Sequence, residues 1–180
     1  MKNQNTKKLA YAALFLALCL VLPMLTGQIP QIGSMLLPMH IPVLLCGLVC
    51  GWQYGAAVGF VAPLLRSVLF GMPPMYPVAI AMAFELLTYG LVIGLVNRRM
   101  AQKGAAGVYA ALLTAMVAGR LVWGVAEVVL LGLGGKAFTA QAFLAGALLN
   151  AVPGIIVQLV LIPAVMAALQ KAGAVKEYAE

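Results

Sequence analysis

The sequence predicts an all-α fold: a polytopic membrane bundle of six transmembrane helices with both termini in the cytoplasm. Of its 180 residues, 64% are hydrophobic and 8% are charged, whereas about a quarter of the residues of a soluble domain carry a charge. Apolar runs of roughly 18 or more residues, long enough to cross a bilayer, recur along the whole chain. Because backbone polar groups in lipid must be satisfied within each segment, these runs are predicted to be helices of one domain, 1–180.

Turn-forming residues divide the chain into six predicted spans. Span 1 ends at the turn-rich segment TGQIPQIGS, and span 2, which is short, carries Pro38 and Pro42 in its first turns. Span 3 ends at GMPP, because glycine and proline interrupt helical hydrogen bonding. The predicted ranges are, in chain order, 9–25, 35–50, 53–70, 77–96, 105–131 and 139–169.

The last three spans carry their own boundary signals. Span 4 opens with Pro77, since the missing N–H of a proline costs nothing at a helix start. Span 5 is long enough to need a tilt or a protruding end. Span 6 contains Pro153 and Gly154, which permit a kink near its middle.

Basic residues set the predicted orientation, because cytoplasmic segments of membrane proteins carry an excess of Lys and Arg. With six spans, the two termini share a side with the segment after span 4. That side holds Lys2, Lys7, Lys8, Arg98, Arg99, Lys103, Lys171 and Lys176, and the opposite side holds Lys136. Both termini are therefore predicted to be cytoplasmic, and the segments 26–35, 71–76 and 132–138 are predicted to face outside.

Four charged residues remain inside the predicted spans: Arg66, Glu85, Arg120 and Glu127. A charge near the bilayer centre costs about 3 kcal/mol on insertion scales, so such residues pair with each other or face water and a ligand. At a rise of about 1.5 Å per residue, they collect in the outward half of the bundle. In one interpretation Arg66 pairs with Glu85, and Arg120 with Glu127, and both pairs only fix the packing.

A binding pocket open to the outside is the second interpretation, and it accounts for more of the polar residues. His40 and Asn150 fall at a similar depth, among aromatic side chains. Pockets for small polar molecules combine apolar walls with a few orienting polar groups. The segments 26–34 and 71–76, which contain glycine and proline, are candidate lids. The candidate substrate-binding residues are His40, Arg66, Tyr76, Glu85, Tyr89, Arg120, Trp123, Glu127 and Asn150.

Small residues recur at four-residue spacing, an arrangement that lets helix backbones approach closely. They are Ala13 and Ala17 in span 1, Gly51, Gly55 and Gly59 at the start of span 3, and Gly90 and Gly94 in span 4. Most are predicted to pack within the bundle. The stripe formed by Ala13 and Ala17 is also a candidate surface for another membrane subunit, because span 1 is otherwise bulky and apolar.

Several function classes lack their sequence signatures. The chain has no P-loop, no HExxH or paired-carboxylate metal motif, and no Ser, His and Asp set, so no catalytic residue, metal or cofactor is predicted. Cys19, Cys46 and Cys50 lie in apolar runs without zinc-site spacing and are predicted to be packing residues. The net charge of +7 comes mostly from short segments outside the spans, so it indicates topology and not a nucleic-acid partner.

Three stretches of the sequence form a recognisable combination. The first is the basic amino end running into KKLAYAALFLAL, with its AxxxA spacing. The others are PMHIPVLLCGLVCGWQYGAAVGF across spans 2 and 3, and PVAIAMAFELLTYGLVIGL in span 4. With these stretches the chain resembles, over nearly its whole length, a substrate-binding (S) component of an energy-coupling factor (ECF) vitamin transporter. The AxxxA spacing is common in membrane helices, so the combination carries the resemblance.

The resemblance implies a transport subunit in the plasma membrane of a prokaryote, and not an enzyme. Such a subunit captures one small water-soluble vitamin or vitamin precursor from outside. It then docks, within the membrane lipid, onto a transmembrane coupling subunit driven by two ATPase subunits. The AxxxA face that meets the coupling subunit falls here on Ala13 and Ala17.

Among the family's substrates, the arginines inside the spans favour a compound with a carboxylate, because a guanidinium offers it a bidentate fork. Pantothenate is the first expectation, since PMHIP and an apolar pocket suit a small branched acid. Riboflavin, another vitamin and a queuosine precursor are alternatives.

Two functions of other classes are also considered. A self-sufficient homo-oligomeric channel or proton-coupled carrier would use the small-residue stripes as its subunit interface. An intramembrane enzyme would use Glu85, Glu127 and His40, but their estimated depths and the missing metal-ligand spacing disfavour it.

Overall fold

The structure is a computed structural model that describes residues 2–25, 35–135, 137, 139–146 and 150–173. The predicted lid 26–34, together with Lys136 and Lys176, lies outside these ranges. All regular secondary structure within them is helical. The helices are α1 (Lys2–Leu25), α2 (His40–Cys50), α3 (Trp52–Phe70), α4 (Ile80–Met100), α5 (Gly104–Leu133), α6 (Ala140–Leu144) and α7 (Val152–Lys171).

Five of these helices are long and apolar enough to cross a membrane: α1, α3, α4 with the wide turn Met75–Ala79 that precedes it, α5 and α7. The all-helical prediction is therefore confirmed for the described residues, and the chain is a multi-pass membrane protein. Six full spans are not found in them. The departure is at span 2.

Span 2 is shorter than the predicted range 35–50. Its helix, α2, has 11 residues, nine of which are buried, and is about 16 Å long, roughly half the thickness of the hydrocarbon layer. The helix cannot extend towards residue 35, because Leu37 adopts a φ of 51° and Pro38 disfavours helical geometry in the residue before it. We conclude that α2 is a buried core helix.

In span 6, predicted over 139–169, the described residues form α6 and α7, with helical backbone continuing to residue 146 and the N–H of Asn150 donating to the carbonyl of Ala145. Residues 147–149 lie outside the described ranges, so the predicted single helix stays a prediction. The five residues of α6 end at Leu144, and α7 begins at Val152. Pro153 lies in the first turn of α7, where its ring fits and its missing N–H has no helical partner to lose.

The helices α3, α4 and α5 form an antiparallel row with α4 in the middle, and α2 packs against α1, α3 and α4. At one end of this row α3 ends, α4 begins and α5 ends; we call it the site end. At the α3–α4 crossing, Gly55 and Gly59 face Gly90 and the backbone of Leu86. The predicted packing role of these glycines is confirmed, because each of them contacts backbone where a Cβ would lie.

Gly90→Ala is expected to destabilise the protein. Its new Cβ would overlap the backbone of Gly55 and lie 2.7 Å from the nitrogen of Ala56, so the two helices must separate, at a cost of about 1–3 kcal/mol. Gly132→Ala is the matched control, since nothing lies within 4 Å of the position that its new Cβ would take. The midpoint of thermal unfolding in detergent should fall only for Gly90→Ala; equal midpoints would contradict the packing described.

Candidate substrate-binding site

Three polar side chains meet near the middle of the bundle, and we call His40, Glu85 and Arg120 the charged cluster; the first two are buried and Arg120 is partly buried. Oε1 of Glu85 lies 2.9 Å from Nη1 of Arg120 and 3.3 Å from Nε2 of His40. Glu85 can contact both residues because α4 packs against α2 on one side and α5 on the other. Tyr89 lies one turn further along α4, and its ring is edge-on to His40 at 5.2 Å.

The charged cluster retains unused hydrogen-bonding capacity. Within the described part of the chain, no hydrogen-bond partner is found for either ring nitrogen of His40, for Oε1 of Glu85, or for Nε and Nη2 of Arg120. A buried polar group left without a partner costs about 1–3 kcal/mol. Oε1 of Glu85 is still engaged by the charge contact with Nη1 of Arg120, so the groups left free for a polar molecule are the donors Nε and Nη2 of Arg120.

Arg66 lies away from the charged cluster. Its guanidinium donates a hydrogen bond to the carbonyl of Leu20 in α1 and sits over the ring of Phe70 at 5.2 Å. The pairing of Arg66 with Glu85 considered from the sequence is thus not formed, because Glu85 contacts Arg120 instead.

Glu127 is buried on α5 at 6% exposure. It does not pair with Arg120, because seven residues of helix separate the two by about 10 Å along the axis. No ion pair or hydrogen bond to Glu127 is found among the residues that the structure describes. The carboxylate of Glu127 therefore faces the interior without a cation beside it.

Trp123 of α5 and Phe143 of α6 form an aromatic pair, which we call the aromatic wall, at a height on α5 between Arg120 and Glu127. Trp123 stacks on Phe143 of α6 with ring centroids 6.1 Å apart, and the guanidinium of Arg120 lies 5.9 Å from the Trp123 ring. Gly124 makes this packing possible, since a Cβ there would lie 2.7 Å from Cδ2 of Phe143. Trp123 therefore borders Arg120 on one side, and Glu127 follows it one turn later on the same helix.

Two further candidates lie at the periphery. Tyr76, in the turn before α4, is 49% exposed, and its hydroxyl donates a hydrogen bond to the carbonyl of Leu130 on α5. This bond fastens the predicted lid segment 71–76 to the site end. Asn150 is exposed in the turn before α7.

Gln158 was not among the candidates from the sequence. It is 1% exposed, and its Nε2 has no partner in the described ranges. Its helix, α7, packs against α2 and α5, which carry His40 and Arg120. A Cβ on Gly154 would lie 2.6 Å from the carbonyl oxygen of Met35, so Gln158, one turn later, is about level with the start of α2. A lone amide within the apolar run IIVQLVLIP was the available signal.

A separate groove of about 360 Å³ lies on the outer side of α5. Its lining is almost entirely apolar, and it includes no residue of the charged cluster. The lining residues are Leu121, Gly124, Val125, Val128, Val129, Thr139, Ala140 and Phe143. Exposed apolar side chains on a spanning helix are typical of a lipid-facing surface.

The described residues contain no group of three His, Cys, Asp or Glu side chains arranged to hold a metal ion. Cys19, Cys46 and Cys50 are free and buried. The Sγ of Cys19 donates to the carbonyl of Met39, 3.6 Å away, which ties α1 to the turn before α2.

The family model for the ECF transporter, substrate-specific component, matches residues 7–167. The chain belongs to this family. No curated protein and no solved structure matches it. As an ECF substrate-specific component, the protein is a membrane transport subunit that binds a small molecule and works with transmembrane coupling and ATPase subunits. The match extends from α1 into α7, so it includes every member of the charged cluster, as well as Glu127 and Gln158.

Proposed function

We propose that this S component captures a small water-soluble vitamin or vitamin precursor from outside a prokaryotic cell and delivers it by docking to a coupling subunit. The observation that carries the proposal is the charged cluster, in which the buried donors Nε and Nη2 of Arg120 lack hydrogen-bond partners in the described part of the chain. Pockets for small polar ligands place a few such groups in apolar surroundings. His40, Glu85, Tyr89, Arg120, Trp123 and Glu127 line the proposed site.

The proposed orientation places both termini in the cytoplasm and the site end outside. It is supported by the excess of Lys and Arg in the terminal segments and in the segment between α4 and α5. Tyr76 then lies at the outer surface, where its hydrogen bond to Leu130 holds the lid segment 71–76. Opening that bond is the proposed entry step for the ligand.

Docking is proposed for the face of α1 that carries Ala13 and Ala17. Both alanines are exposed, whereas Ala12 and Phe15, on the other side of the helix, are buried in the bundle. Small side chains allow a partner helix to approach closely in lipid. The exposed small-residue stripe therefore supports contact with the coupling subunit, whose two ATPase partners supply the energy.

Pantothenate remains the ligand proposed from the sequence. The arrangement of the arginines bears on this choice, because Arg66 donates to Leu20 and the Nη1 of Arg120 faces Glu85. A pantothenate carboxylate would have to share Arg120 with Glu85. Riboflavin, other vitamins and a queuosine precursor therefore belong in the same panel of compounds.

The purified protein is expected to be stabilised against heat by one compound of that panel at sub-micromolar concentration. Arg120→Ala should remove most of this stabilisation, because it deletes the free Nε and Nη2 donors. Arg99→Ala, at the exposed end of α4, is the matched control and should respond as the unmodified protein does. A panel without any stabilising compound would contradict the proposal.

Uptake by liposomes containing this chain alone would instead favour the self-sufficient channel or carrier. We expect uptake only when the coupling and ATPase subunits are present with ATP.

A further inference from the structure

Glu127 is the one buried acidic side chain in the described residues that no basic group offsets. The carboxylate of Glu85 contacts Arg120, and Arg66 donates to the backbone of α1. Counting histidine as neutral, the site holds two carboxylates and one guanidinium. If His40 were protonated, its charge would lie beside Glu85, so the carboxylate of Glu127 would still have no cation next to it.

The free groups of the site differ between its two ends. At the charged cluster, the unused groups of Arg120 are donors, and the unused Nε2 of Gln158 is a donor too. At the other end, about 10 Å along α5, the unused group is the carboxylate of Glu127. A ligand that satisfies both ends needs hydrogen-bond acceptors at one end and a donor or a cation at the other.

The surroundings of Glu127 favour a cation over a neutral donor. A carboxylate binds a charged donor more strongly than a neutral one. One turn before Glu127, Trp123 offers an aromatic face, which also attracts cations. An anionic group at the same place would be repelled by the carboxylate of Glu127.

Resting on the proposed function, we infer that the ligand is a small organic cation about 10 Å long. Its protonated nitrogen lies against Glu127, and its hydrogen-bond acceptors meet Arg120 and Gln158. The indole of Trp123, which is held from behind by Phe143, contacts the part between these ends. This inference differs from the carboxylate ligand that the sequence favours.

Pairs of compounds that differ in one charged group test the inference on the full-length protein in detergent. The pairs are pyridoxamine with pyridoxine, 7-aminomethyl-7-deazaguanine with 7-cyano-7-deazaguanine, and panthenol with pantothenate; thiamine is added as a permanent cation. Binding is measured by thermal stabilisation and by calorimetry. The tightest compound should be a cation that binds about tenfold to a hundredfold more tightly than its neutral counterpart.

Glu127→Gln should abolish this preference for the cation, and Glu127→Asp should retain it with weaker binding. Gln158→Leu should weaken the binding of both members of a pair and leave the preference for the cation unchanged. Unliganded unfolding midpoints show whether each variant folds. If Glu127→Gln does not fold, the inference is tested by the unmodified protein alone, from its relative affinity for the cation and the neutral or anionic member of each pair.

The outcomes separate the two proposals. A tightest ligand that is neutral or anionic, or a cation preference that survives in folded Glu127→Gln, overturns the inference and leaves the binding function intact. The absence of binding by every compound overturns the proposed function itself.

Discussion

Glu85→Ala is expected to abolish ligand binding and to lower the stability of the protein markedly. Glu85 is the shared partner of Arg120 and His40. Its removal leaves a buried guanidinium without a counter-charge, and breaking a buried ion pair in this way costs about 3–5 kcal/mol. The unfolding midpoint should fall well below that of the unmodified protein, and no compound should raise it.

The control for Glu85→Ala is Thr88→Ala on the same helix. The Thr88 hydroxyl donates to the carbonyl of Phe84, 2.8 Å away in its own helix, so its loss should change neither binding nor the midpoint appreciably. Glu85→Gln keeps the volume of the side chain and removes its charge. A Glu85→Gln protein that is folded and still binds the ligand at full affinity would contradict a binding role for the carboxylate.

Ala13→Trp and Ala17→Trp are expected to abolish transport and to leave ligand binding unchanged. Both alanines are exposed on α1, on the side away from the bundle. An indole there would prevent close approach of a partner helix. Uptake is measured in cells that contain the coupling and ATPase subunits, and ligand affinity is measured on the purified variants.

Ala164→Trp on α7 is the matched control, since Ala164 is an exposed alanine on a different spanning helix. It should support transport at the level of the unmodified protein. Normal uptake by the α1 variants would remove the docking surface from the proposal, and loss of ligand affinity in them would show that their effect is not confined to docking.

Composition and charge distribution were sufficient to predict an all-helical membrane protein, and the combined motifs pointed to its family. The start of α2 was not predicted, because an apolar run of proline-containing sequence does not reveal how much of it is helical. The φ of Leu37 and the nine buried residues of α2 depend on contacts with three neighbouring helices. Hydropathy reports the length of an apolar run and not its burial inside protein.

Which residues belong to the site was easier to predict than which of their charges contact each other. Charges within apolar spans are costly, so Glu85, Arg120 and Glu127 stood out by residue type alone. Which charge contacts which depends on the rotation of each helix about its axis. The spans are apolar on all sides, so no polar face fixes that rotation in the sequence. The sequence therefore did not predict that Arg66 points towards α1 or that Gln158 points into the bundle.

The short length of α2 has a consequence for how cargo leaves the protein. In the proposed orientation, His40 marks the floor of the site, and beneath it lies the tightly packed body of α2, about 16 Å deep. That plug contains buried residues such as Leu44 and Leu48, so the described part of α2 leaves no gap through which a solute could pass along it. With this plug in place, we propose that the cargo is discharged by reorientation of the whole subunit in the bilayer, as the family resemblance implies.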